Sequence, residues 1–185
     1  MDFISFDFLA DDEIIHDIFH IRKKNTEDYL ETYYNLLDTR IDLIPHTLIG
    51  GKYGKIDREG EVFKMLEEEK TNMIVFISLI PPKDNPKFQA PGIVDIAKFI
   101  LATRLKFPNI EIALGCMRIR GKKEFEGRDL EQLAVLCGAD RIAMPSKSLV
   151  NWAKEKHITI ESYNACCAIP SRFLSIFKAK ENPNN

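Results

Sequence analysis

No run of this chain is apolar for the length a membrane-spanning helix needs, and its acidic start, Met1-Asp2, lacks the cationic region of a secretory leader. These absences predict a cytoplasmic protein with no membrane partner. Neither charge dominates: 26 Lys and Arg stand against 28 Asp and Glu, interspersed, for a formal net charge of -2. Nothing in that balance draws nucleic acid. Cysteine is scarce, at four positions, Cys116, Cys137, Cys166 and Cys167. A reducing cytoplasm makes these thiols or metal ligands rather than disulfides. Phosphate-cradling motifs are missing as well. Gly50-Gly51 followed by Gly54 looks like a glycine-rich loop, but neither G-x-x-x-x-G-K-S/T nor G-x-G-x-x-G occurs.

What is present suits one globular domain with a substantial core: 185 residues, 45% hydrophobic and 29% charged. Short apolar runs at Phe3 to Phe8, Asp42 to Ile49, Met73 to Leu79, Ile110 to Leu114 and Arg141 to Met144 predict strands. They lack clean alternation, as strands covered on both faces do. Amphipathic stretches between them predict helices over Asp12 to Phe19, Thr26 to Leu37, Gly60 to Glu69, Gly92 to Leu105, Asp129 to Leu136 and Ser148 to Lys156. Thr26 before Glu27 and Asp28 reads as a helix cap, and Cys137-Gly138 as a helix end.

Alternating strands and helices predict an α/β fold with a parallel sheet. About five such units fall short of the eight that close a barrel in roughly 250 residues. The expectation is therefore a partial (β/α) barrel, five parallel strands with helices outside, spanning residues 1–177 as a single domain. The polar stretch 178–185 is expected to fray. The chain enters its first strand with no preceding helix, so it reads as cut from a larger fold.

In parallel sheets of this kind, chemistry sits at the carboxyl ends of the strands. Those ends read Ser5-Phe6-Asp7 running on to Asp11-Asp12, Pro45-His46-Thr47-Leu48-Ile49-Gly50-Gly51, Pro81-Pro82-Lys83, Leu114-Gly115-Cys116-Met117-Arg118 and Ala143-Met144-Pro145-Ser146. Taken in order, they resemble the later strands of the biotin synthase-like radical S-adenosylmethionine family, over nearly the whole chain to about Ser146. His46 to Gly51, with Ile49 and Gly50, is similar to the segment whose backbone lies against the cofactor's adenine. Asp7, Asp11 and Asp12 fall where the family places polar side chains on the ribose. Arg22, Lys23 and Lys24 fall where it often holds a base for the methionyl carboxylate.

The resemblance implies a C-terminal part or subunit of a radical enzyme. In that setting S-adenosylmethionine contacts Asp7, Asp11, Arg22, His46, Ile49, Gly50 and Gly51, and Arg118 and Met144 face a lipoyl- or biotin-type substrate. It also implies sulfur insertion, with Cys116, Cys166 and Cys167 as possible ligands of an auxiliary iron–sulfur cluster. The departures matter equally. The family's C-x-x-x-C-x-x-C loop for its four-iron four-sulfur cluster has no counterpart here, and such clusters need several positioned thiolates. The chain alone is not expected to cleave the cofactor, so the resemblance implies a partner polypeptide carrying the other half-barrel and that motif. Ile44 and Ala113 stand where biotin synthase itself has a cysteine and an arginine, which counts against biotin formation. A non-catalytic binding subunit, or a decayed fragment, is the alternative, and shared strand and helix architecture alone is a third.

Each residue also has a plainer reading. Cys116 could be a small buried thiol, and Cys166-Cys167 could pack against Ile169 and Phe173. Cys137 reads as core, while His16, His20 and His157 read as surface or packing residues. His46 could contact substrate or move a proton, or be structural. The basic loop Arg118-Ile119-Arg120-Gly121-Lys122-Lys123 could grip an anion or be solvated. Asp11 and Asp12 could cap the turn that follows, and Glu67-Glu68-Glu69 read as a solvated helix face.

Overall fold

The computed structural model describes residues 3–66 and 71–178. Five strands form one sheet: β1 (Phe3–Asp7), β2 (Asp42–Ile49), β3 (Met73–Ser78), β4 (Glu111–Leu114) and β5 (Arg141–Ile142). All four pairings are parallel and the spatial order is β1-β2-β3-β4-β5. Each strand thus pairs with its successor, so the sheet winds in one direction as a barrel wall does. This is the α/β, partial-barrel architecture that the alternation of apolar runs predicts.

Helices α1 (Thr26–Leu37), α2 (Val62–Met65), α3 (Ile93–Lys106), α4 (Leu130–Leu136) and α5 (Lys147–Glu155) lie in the connections and near the end. Among the described residues no helix is long and apolar enough to cross a membrane. One face of the sheet packs on helices. Ile74 and Phe76 of β3 and Ile112 and Leu114 of β4 bury against Ile93, Ile96 and Ile100 of α3, Tyr33 of α1, and Leu130 and Leu133 of α4. Each such side chain stabilises the fold by about 1.5–3 kcal/mol, which makes this layer the main source of stability.

The opposite, inner face follows from the register. In the middle row Asp7 pairs with His46, His46 with Val75, Val75 with Ala113 and Ala113 with Arg141. Paired residues of parallel strands point the same way, so this row is apolar in the centre and polar at both ends. The row below holds Ser5, Ile44, Met73 and Glu111. Phe88, Phe19, Cys167 and Ala168 pack over the apolar centre.

Local expectations hold closely and fail instructively. The cap of α1 is Asn25, whose side chain accepts the Asp28 N–H at 3.0 Å while Asp28 accepts the Asn25 N–H at 3.0 Å. Thr26 instead donates its N–H and its hydroxyl to Asp12, each at 2.7 Å. Asp12 to Phe19 forms a single π turn over Ile14–Ile18, closed by Phe19 N–H to Ile14 O at 3.0 Å. Cys137-Gly138 ends α4 as expected, with Gly138 at φ +95. Strand β5 stops at Ile142 rather than Met144. Ala143 N–H still reaches Leu114 O, but Met144 turns the chain at φ +46. The third predicted helix is shorter, a 3-10 turn at Glu59–Glu61 and then α2, which ends as Leu66 becomes extended. Glu67 to Glu69, and the predicted frayed tail beyond Lys178, lie outside the described residues.

Candidate functional site

The carboxyl end of the sheet divides into two sides. At β1 and β2, the Asp7 side chain is exposed on the inner face and His46 beside it is half-buried. The His46 Nδ1 lies 3.1 Å from the Ile44 carbonyl, so Nδ1 donates and a neutral ring leaves Nε2 as an open acceptor. Burial holds this imidazole below its ordinary value, against the Ile44 carbonyl and the Asp7 carboxylate, which favour the charged ring. A proton acceptor beside a carboxylate is thereby set at a strand end, at the end of the row where Asp7 is exposed.

The neighbouring glycines are filled by the protein itself. A Cβ on Gly50 would meet Pro91 at 2.7 Å, and one on Gly51 would meet Ile14 at 2.8 Å. Gly50 N–H is taken by Glu59 at 2.8 Å and Ile49 O by Leu79 N–H at 3.0 Å. The Ile49 side chain is buried in the helix-covered core. As packed, the backbone at Gly50 and Gly51 closes on Pro91 and Ile14. Asp11 is buried and accepts the Glu13 N–H at 2.8 Å, which is the capping role, not a ligand contact. Arg22 is exposed on the turn before α1.

At β4 and β5 the basic loop is exposed at Arg120, Lys122 and Lys123, as a solvated charge run would be, but its first residue is not. Arg118 is wholly buried: it donates to Gly115 O at 2.5 Å, Glu131 at 2.5 Å and Met144 O at 3.2 Å. Its Nε is buried without a partner. This corrects the expectation that Arg118 meets a substrate, because its charge is consumed in holding strand ends together. Burial opposes ionisation of Glu131, but the Ser146 N–H and the Arg118 guanidinium outweigh it and hold the carboxyl below its ordinary range. Arg120 reaches the same carboxylate at 3.0 Å. The Met144 side chain is exposed while its carbonyl receives Arg118 and Arg120.

Cys167 packs with Ala113 and Ala168 over the inner face. Burial and the nearby Cys166 thiol push Cys167 up to about 11, although the Cys116 N–H points at its sulfur. Cys116 and Cys166 are exposed. Among the described residues, no three His, Cys, Asp or Glu side chains stand so as to hold a metal ion. Among the described residues the three thiols therefore form no cradle for an auxiliary cluster. Cys137 is half-buried at the end of α4 and burial raises its thiol.

Sequence reasoning missed the knot lower on this side. Arg141 binds Glu111 and donates to Ile169 O at 2.5 Å and Ser171 Oγ at 2.8 Å, while Ser171 donates to Glu111 at 2.7 Å. Arg172 pairs with Asp42 at the start of β2. The segment 163–178 is thus bound across the inner face from β5 to β2. A charged residue inside each of two short strands, Glu111 in β4 and Arg141 in β5, was the available signal. No known family model matches this chain, and no curated protein matches it.

Proposed function

We propose that this chain is the C-terminal half-barrel of a radical S-adenosylmethionine enzyme, completed by a polypeptide that carries C-x-x-x-C-x-x-C and the four-iron four-sulfur cluster. The observation that carries the reading is the one-directional five-stranded wall whose β1 edge pairs only with β2 among the described residues. The inner-face residues along that edge, Ser5 and Asp7, are exposed. An unpaired edge with polar side chains turned inward suits a wall that another wall meets.

S-adenosylmethionine held there would supply the abstraction of hydrogen from an unactivated carbon, which side chains cannot do. Asp7 and His46 are the residues of this chain placed to hold polar groups of such a ligand: Asp7 accepts hydroxyl protons, and neutral His46 accepts one at Nε2. Phe19, Phe88 and the 163–178 segment keep water off the apolar centre of the inner face. Sulfur insertion into a lipoyl- or biotin-type substrate is the favoured reaction.

The self-packed Gly50 and Gly51 favour a second reading, a non-catalytic binding subunit or a decayed half. Anaerobic co-expression with a polypeptide bearing the cysteine motif separates the two. The first reading expects a brown complex that forms methionine and 5'-deoxyadenosine from S-adenosylmethionine, with loss of cleavage on Asp7→Asn or His46→Ala. Association without cleavage would establish the second, and no association would sink both.

A further inference from the structure

A cleft at the amino end of the sheet carries an inference independent of the half-barrel reading. It measures about 410 Å³ and lies where β2, β3 and β4 begin, at the end of the sheet away from Asp7 and His46. That size falls in the range of small-molecule sites, roughly 300–1,000 Å³. Leu37 at the end of α1 and Ile41 ahead of β2 are its half-buried apolar walls, with the buried side chains of Ile44 and Met73 beside them. The returning segment adds Pro170, Ser171 and Arg172 to the same lining.

Most polar groups of the lining are already engaged. Asp42 pairs with Arg172, and Glu111 with Arg141. The hydroxyls of Thr39 and Ser171 donate to Leu36 O and to Glu111, each at 2.7 Å. Two groups are left over. The Arg40 guanidinium and the Asn72 carboxamide are on exposed residues and have no hydrogen bond or ion pair among the described residues. Because both carboxylates of the lining are matched, the cleft keeps one uncompensated positive charge beside apolar side chains. We infer that it binds a small amphipathic carboxylate, with the headgroup held by Arg40 and Asn72 and the hydrocarbon body against Leu37 and Ile41. A guanidinium offers paired N–H donors that fit a carboxylate, and the carboxamide adds a further donor. A bare inorganic anion would leave the apolar walls wet, and a neutral ligand would leave the guanidinium unanswered. Such a ligand would touch both the sheet and the returning segment, so occupancy should stabilise the whole chain.

The test titrates sodium heptanoate, heptan-1-ol and sodium phosphate separately into the full chain, read by amide NMR shifts and by the thermal midpoint. Heptanoate should bind saturably with a Kd of about 1 mM or tighter. The shifts should fall on residues 37–44, 72–73 and 170–172, which line the cleft. At about ten times the Kd the midpoint should rise by about 3–6 °C. Heptan-1-ol and phosphate should each bind about tenfold more weakly or worse, since each lacks one half of the ligand. Arg40→Gln should weaken heptanoate about tenfold and leave heptan-1-ol unaffected. Because Arg40 is exposed, this change should leave the urea midpoint in place, so lost binding will not reflect unfolding. No saturation by about 10 mM heptanoate, phosphate binding as tightly as heptanoate, heptanoate affinity indifferent to Arg40→Gln, or shifts centred on Asp7 and His46 would each overturn the assignment. Because no partner chain enters this experiment, its failure leaves the half-barrel reading untouched, and the converse holds.

Discussion

The inner face of the sheet has polar residues at both ends of one row, and the two ends have opposite fates. At β5, Arg141 is spent on Glu111 and on the returning segment. At β1, Asp7 is exposed and His46 keeps an open ring nitrogen. Residue type does not separate them, since each end has a carboxylate within reach of a nitrogen base. What differs is whether the chain supplies a cover. Charges under a cover become struts, and charges without one remain able to meet a ligand.

That contrast predicts a graded series. Glu131→Ala should be the most damaging change, because it strands the buried Arg118 charge. A loss of about 3–5 kcal/mol is expected, read by urea unfolding. Arg141→Ala should cost less, about 1–3 kcal/mol, because the pair is partly hydrated, and limited proteolysis should now cut within residues 163–178. If Arg141→Ala leaves that segment as resistant as before, the cover does not depend on the knot and the contrast breaks. On the other side, Asp7→Asn should change stability by no more than about 0.5 kcal/mol, as exposed substitutions do.

The smallest effect is a pH dependence. The folded state holds His46 below its ordinary value of 6.5, so the unfolded chain binds the proton more readily. Stability from this group is present above pH 6.5 and is lost as pH falls from there towards the lowered folded value. His46→Gln should flatten that part of the stability profile. Asp7→Asn should lower the folded His46 value further by removing a carboxylate that favours the charged ring, which a histidine NMR titration would read. An upward movement would show that Asp7 does not act on this ring.

Much of the wall was legible because its signals are local. Strand β2 and helix α1 occupy the predicted spans Asp42 to Ile49 and Thr26 to Leu37, where apolar spacing and the acidic first turn speak plainly. The site was less legible, since its facts are contacts between distant positions. Nothing around Arg118 announces that Glu131 lies beneath it, so a buried strut looked like a basic loop. Glycine pairs advertise close approach but not by what, and here Pro91 and Ile14 take the space. Residues 163–178 return without helical or strand periodicity, and only three-dimensional packing reveals them as a cover.

The unpaired side of β1 also limits which assemblies can complete the wall. Joining two copies there through a two-fold axis that keeps both inner faces on the same side would reverse one strand relative to the other. A closed (β/α) cylinder requires every neighbour to run in the same direction. Pairing β1 with β1 of a second copy would therefore yield an antiparallel seam and no enclosed lumen, so the strand that seals this side must be a different one, whether β5 of another copy or a strand of another chain.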